Sequence, residues 1–195
     1  VEETGRSKNK VIADAYLFDA VLIRGGKTTS FRLELYVNET IVGLAGRGYL
    51  GKGALRGVMN ARHLRVYFPS TNEFVDDTFE ALLSDSTCPL TLQHFDPIRY
   101  LSILPDSIMP DSQISVICTK SGDTRMEYAV SSGCDWELSL AYDRRGNVWR
   151  PVEIGFVTTG GTTLKATRRE FRPGSKVPAT KFADPVPSGA LRLPR

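Results

Sequence analysis

Between Phe31 and Phe74 the chain holds two runs that alternate apolar and polar positions with a period of two, separated by a glycine-rich bend. Phe31, Leu33, Leu35 and Val37 fall to one side and Arg32, Glu34, Tyr36 and Asn38 to the other, the spacing of a strand with one apolar face. Asn38-Glu39-Thr40 reads as a turn, and the run from Ile41 enters a glycine-rich bend. Leu55 to Met59 make the return. Leu64, Val66 and Phe68 then alternate with Arg65 and Tyr67 until Pro69 stops the run. Upstream, the apolar run within residues 11–24 suits either a strand or a short helix by periodicity alone. Gly25-Gly26-Lys27 follows as a hairpin turn and favours the strand.

After Phe74 the pattern changes. Asp76-Asp77-Thr78 can cap a helix that carries Phe79, Leu82 and Leu83 on one face. Pro97 suits the first turn of a second helix with Ile98, Leu101 and Ile103 or Leu104. The spacing therefore predicts a helical insertion over residues 77–104, covering the open, concave side of a curved sheet to bury its apolar face. Alternation resumes at Ile114, Val116 and Cys118, returns through Met126, Tyr128 and Val130, and continues through Trp136, Leu138, Leu140 and Tyr142. A turn at 143–147 leads to Val152, Ile154 and Phe156, and another at 158–161 to Leu164, Ala166, Arg168 and Phe171. Turns every eight to twelve residues predict an up-and-down antiparallel sheet of about ten or more strands. The tail from Arg172, with Pro173, Pro178, Pro185 and Pro187, is expected to run extended along the domain and to add a last edge strand. Residues 1–10 read as a flexible leader and 11–195 as a single domain.

One motif in the bend competes for a function. Gly46-Arg-Gly48-Tyr-Leu-Gly51-Lys52-Gly53 satisfies GxGxxG and nearly satisfies the phosphate-binding loop, which needs a Ser or Thr hydroxyl where Gly53 stands. A dinucleotide site also needs a buried parallel strand before the loop and a helix after it. The strand before is amphipathic, so the glycines are read as places where strands bend or pack closely, and binding of ATP or NAD is not expected. No cofactor is expected either. His63 and His94 stand apart from any ligand set or nucleophile motif. Asp76-Asp77 suits a helix start, and Asp135 with Glu137 the solvent side of a strand. Catalytic residues: none are assigned, and the chain is read as a non-enzyme.

Composition narrows the classes further. The 195 residues are 41% hydrophobic and 24% charged with a net charge of +3, ordinary for a globular domain. Aromatic residues do not interleave with Lys and Arg along one stretch, so nucleic acid is not an expected partner. The mild positive charge is compatible with anionic lipid headgroups, where each basic side chain near a membrane contributes on the order of 1 kcal/mol. No window approaches the roughly 20 apolar residues of a spanning helix. Cys88, Cys118 and Cys134 show no zinc spacing. In an exported protein they would form one disulfide and leave one thiol, with the pair not chosen by the sequence; equally, they read as three small, partly buried apolar residues.

Val66-Tyr67-Phe68-Pro69 followed by Asn72-Glu73-Phe74, after a glycine-rich strand pair, resembles the bacterial lipoprotein-carrier superfamily with the LolA/LolB-like fold. The closing segment Lys181-Phe182-Ala183-Asp184-Pro185-Val186-Pro187-Ser188-Gly189-Ala190 is similar to the end of that family. The resemblance implies a mainly β chain whose strongly curved antiparallel sheet forms a half-open barrel covered by helices. It also implies non-catalytic binding or transport of lipid or lipoprotein acyl chains in an apolar cavity. The implied setting is periplasmic or outer-membrane-attached, with an export signal encoded outside these residues and with other envelope proteins or the membrane surface as further partners. Alternation then nominates Phe31, Leu33, Leu35, Val66, Phe68, Leu138, Leu140, Ile154 and Phe156 as the lipid-facing set. The alternative is an envelope scaffold or partner-binding module in which side chains fill the same face and no lipid cavity exists.

Overall fold

The computed structural model describes residues 9–48, 53–84, 88–90, 96–108 and 113–193. They build one curved, unclosed sheet of twelve strands. The first meander comprises β1 (Lys10–Arg24), β2 (Lys27–Val37), β3 (Ile41–Gly48), β4 (Gly53–Asn60), β5 (His63–Phe68) and β6 (Glu73–Thr78). The second comprises β7 (Ser115–Lys120), β8 (Arg125–Ser131), β9 (Trp136–Arg145), β10 (Val148–Thr158) and β11 (Thr163–Pro178). The two short strand runs are joined at the middle of the sheet, where β1 pairs antiparallel with β11. A two-residue strand, β12 (Leu191–Arg192), pairs parallel with β6 and closes that edge, while β7 forms the other.

The ambiguous run at residues 11–24 is a strand, paired along both edges and led into β2 by a tight hairpin. Gly25 and Gly26 both take positive φ, +55° and +74°, the pair of left-handed residues that matches a two-residue hairpin to strand twist. The glycine motif lies on an antiparallel hairpin, with β3 ending at Gly48 and β4 beginning at Gly53; Lys52 lies outside the described residues. No parallel strand or helix flanks it among the described residues. Its neighbours pack closely, as expected: a Cβ at Gly46 would stand 2.7 Å from Leu55 Cγ, and one at Gly57 2.9 Å from the Arg65 carbonyl oxygen.

Two expectations change. The helical insertion contains little α-helix among its described residues: α1 (Phe79–Leu83) is one turn and a half, capped by the Thr78 hydroxyl accepting from the Ala81 N–H. The Pro97 region yields only a 3₁₀ turn at Arg99–Leu101, and Pro105–Ser107 a second. Pro89, Pro97 and Pro105 interrupt the ladder too often for a longer helix to propagate. The turn placed at 143–147 is also shorter, since β9 runs on to Arg145 and only Gly146-Asn147 turn, with Gly146 at φ +62°.

A third expectation holds only in part: residues 172–178 still belong to β11, Ala179–Phe182 form a 3₁₀ turn, and only the remaining tail leads to the expected edge strand. After β11 it crosses the sheet face opposite the insertion, passing over Gly43 of β3, bonding through Asp184 to Arg65 of β5 at 2.6 Å, and reaching β6. The sheet therefore has an inner face under the insertion and an outer face under this strap.

Candidate functional site: the inner face of the sheet

Register defines the inner face without reference to any ligand. One transverse row reads Val75, Val66, Gly57, Leu44, Leu35, Tyr16 and Phe171 across seven strands. A parallel row reads Gly48, Phe31, Ala20, Ala166, Ile154, Leu140 and Tyr128. The next places Leu22, Leu164, Phe156, Leu138 and Val130 side by side. Leu33 stands between Phe18 and Gly46, and Phe68 follows Val66 on its strand by two residues, on the same side. All nine nominated residues therefore share one face. Register shifts occur at Ala13/Ala15, Leu17/Phe18, Gly46/Arg47, Cys118/Lys120 and Pro151/Glu153, and none turns a nominated residue outward.

Their burial differs. Leu35, Val66 and Leu140 are buried, whereas Phe31, Leu33, Phe68, Leu138, Ile154 and Phe156 are half-buried. Leu22, Leu44, Leu55 and Leu164, on the same face, are half-buried as well. These residues form a continuous apolar strip with part of its surface still in contact with water.

The insertion docks on this face through three tyrosine hydroxyls. Tyr16 donates to the Leu101 carbonyl at 3.1 Å, Tyr142 to the Tyr100 carbonyl at 2.6 Å, and Tyr128 to Asp106 Oδ2 at 2.9 Å. Burial pushes all three hydroxyls well above the usual phenol range, so they stay protonated as donors. A disulfide between Cys88 and Cys134, with Cα atoms 5.7 Å apart, fastens the insertion to the start of β9 and leaves Cys118 as an exposed thiol. Beneath the insertion, Ile98 and Leu101 pack with Tyr16, Phe18, Leu35, Val37 and Val42, while Leu90, Tyr100 and Ile108 pack with Tyr128, Val130, Trp136 and Tyr142.

A buried charge also interrupts the apolar surface. Arg168 occupies the position paired with Phe18, its side chain is 4% exposed, and it bonds to Asp143 at 2.5 Å and to the Pro151 carbonyl at 2.9 Å. Nearby, Arg150 pairs with Asp14 at 3.2 Å and lies over the Phe171 ring. A buried arginine needs this pairing, because an unmatched charge there would cost several kcal/mol. The tyrosine pins and Arg168 were not nominated from sequence. The signal was present, since Arg168 follows Leu164 and Ala166 at apolar spacing, and a charge on that parity implies a buried partner.

His63 pairs with Asp76 at 3.3 Å, and His94 lies outside the described residues. Among the described residues no three His, Cys, Asp or Glu side chains stand close enough to hold a metal, and no helix is long and apolar enough to cross a membrane.

No protein-family model matches the chain, and no curated protein matches it. Solved structures do. A DUF1329 family protein from Desulfovibrio piger aligns with a TM-score of 0.45 and 10% identity over 87% of this chain and 89% of its own. An uncharacterized conserved protein from Thermus thermophilus aligns with a TM-score of 0.43 and 12% identity over 94% and 90%. The structure is likewise similar to a LolA superfamily protein from Nitrosomonas europaea, with a TM-score of 0.42 and 12% identity over 88% of this chain and 90% of that one.

Proposed function

We propose that this protein binds acyl chains of a lipid or lipoprotein along the inner face of its sheet, without catalysis, in the bacterial envelope. The half-buried apolar strip carries the reading: Phe31, Leu33, Phe68, Leu138, Ile154 and Phe156 are gathered on one curved face and keep area for a further apolar group. Such a group needs no polar partner, and each buried methylene contributes about 0.8 kcal/mol. The disulfide supports a periplasmic or outer-membrane-attached setting, since such bonds persist where thiols are kept oxidised.

The full burial of Tyr128, Trp136 and Tyr142 favours a second reading, a scaffold or partner-binding module whose own side chains fill the face. Replacement of Leu33 or Leu138 by Trp separates the two. The parent should bind a fluorescent fatty acid or lipopeptide saturably, and a folded Trp variant should bind it at least tenfold more weakly. A parent that binds neither probe, or a folded variant that binds as tightly as the parent, removes the acyl-chain reading and leaves the scaffold.

A further inference from the structure

The outer face carries a hollow of about 470 Å³ between β3, β4 and the strap. Its origin is legible in the register. The outer side of β3 presents Gly43, Ala45 and Arg47 in succession, and β4 opposes them with Val58, Arg56 and Gly53. Small residues thus leave a trough between taller neighbours. The strap crosses this trough at Gly43, so closely that a Cβ there would stand 2.2 Å from the Lys181 carbonyl oxygen. Beyond the crossing, Ala45 and Gly53 floor an open space; a Cβ at Gly53 would meet nothing within 4 Å.

The charges around this space do not balance. Arg47, Arg56 and Lys181 line it, with Asp184 as the carboxylate among the lining residues. Asp184 is already bonded to Arg65 at 2.6 Å. Glu34 is shared between Arg47 at 3.2 Å and Lys181 at 3.5 Å, and Lys181 also lies 4.9 Å from the centre of the Tyr36 ring. The exposed Arg56 side chain, on a strand whose backbone is paired on both sides, has no ion pair or hydrogen bond with another described residue. Arg56 opposes Ala45, and Arg47 stands two residues further along the same side of β3. That diagonal spacing lets two guanidinium forks reach one group placed above the floor. Planar forks of this kind match the oxygens of a phosphate.

We infer that this outer hollow is a binding site for a phosphate-bearing anion, held by Arg47 and Arg56 with Lys181 at the strap side. The site lies on the face opposite the acyl-chain strip and does not depend on that reading. Its ligand is either a lipid headgroup or a free phosphate compound, and the two sources separate experimentally.

The test uses the full chain at low ionic strength with two probes. Inorganic diphosphate is titrated by calorimetry, and vesicles of phosphatidylglycerol or of phosphatidylcholine are sedimented with the protein. Arg56→Gln and Ala45→Leu, which remove a fork and fill the floor, should each weaken binding at least fivefold with an unchanged near-UV circular dichroism spectrum. Lys165→Gln, an equal charge change elsewhere on the outer face, should stay within twofold. Binding to phosphatidylglycerol vesicles alone assigns the site to a headgroup; saturable diphosphate binding assigns it to a soluble anion. The inference fails if neither probe binds, if neutral vesicles bind as well as anionic ones, or if Lys165→Gln weakens binding as much as Arg56→Gln does.

Discussion

The two halves of the inner face share one sheet and one alternation, yet they are finished differently. On the side of β7–β10 the face is filled with large buried groups, Tyr128, Trp136 and Tyr142 with Val130 and Leu140 between them. The insertion is bolted to that side by two tyrosine hydrogen bonds and the disulfide. On the side of β2–β5 only Leu35, Val37, Val42 and Val66 reach full burial, glycines stand at Gly46 and Gly57, and Phe31, Leu33, Leu44, Leu55 and Phe68 keep part of their area in water. The largest fully buried side chains are therefore concentrated in one half, while partly wet apolar surface runs through the other and continues past Leu138, Ile154 and Phe156, an arrangement in which a ligand could seat without dismantling the core.

The comparison can be broken most directly in its filled half. Trp136→Ala should cost about 3–5 kcal/mol in urea unfolding, the usual range for emptying a large buried aromatic site; a cost near that of an exposed residue would mean the half is not filled. Replacing Cys88 and Cys134 together by Ser opens a link between residues 46 apart in sequence. The loop-closure relation gives about 4 kcal/mol for a link of that length, and 2–4 kcal/mol is the expected loss in the same assay. Leu33→Ala, in the open half, should cost about 1–2 kcal/mol, less than Leu140→Ala, because part of the area it removes is already wet. Its larger effect should appear in acyl-probe affinity, and equal stability costs for Leu33→Ala and Leu140→Ala would erase the distinction between the halves.

The smallest expected effect is electrostatic. On the outer side of the filled half, the Arg125 hydrogen bond holds the Glu127 carboxyl below the usual glutamate range. Its folded pKa is depressed, so its contribution is present above the unfolded value and is lost as pH falls through the folded one. Carbon-detected NMR titration should place the Glu127 midpoint below about 4.3, and Arg125→Gln should raise it. The pair is solvent-accessible, so the acid arm of global stability should barely move.

Much of this architecture was legible in the chain. Period-two spacing placed Phe31, Leu33, Leu35, Leu138, Leu140, Ile154 and Phe156 on strands, and register gathers them on one face because no bulge falls between them and reverses their parity. The half-open antiparallel sheet implied by the carrier resemblance is the architecture observed. The Cys88–Cys134 pairing was one of several left open, since only the folded insertion brings Cys88 to the start of β9. The insertion is less helical than its spacing predicts, because apolar spacing after Pro97 fits a helix while a single 3₁₀ turn buries Ile98 and Leu101 equally well. Which half would be filled was illegible for a different reason. Alternation reports that a side chain faces inward, and only the docked insertion decides how much water remains above it.

The central seam also governs how such a chain comes together. β1 pairs Val11 with Val177 and Ile23 with Thr163, so the strand in the middle of the sheet waits for a partner from nearly the other end of the sequence. The hairpins of each meander involve short loops and can close early, whereas the seam carries the largest loop-closure entropy in the sheet. Folding is thus expected to end at β1 and β11, with the Phe18 and Tyr16 side chains open to solvent until that last step. During synthesis the first six strands would emerge with one edge of the apolar β1 still unpaired, the form of the molecule most prone to aggregate.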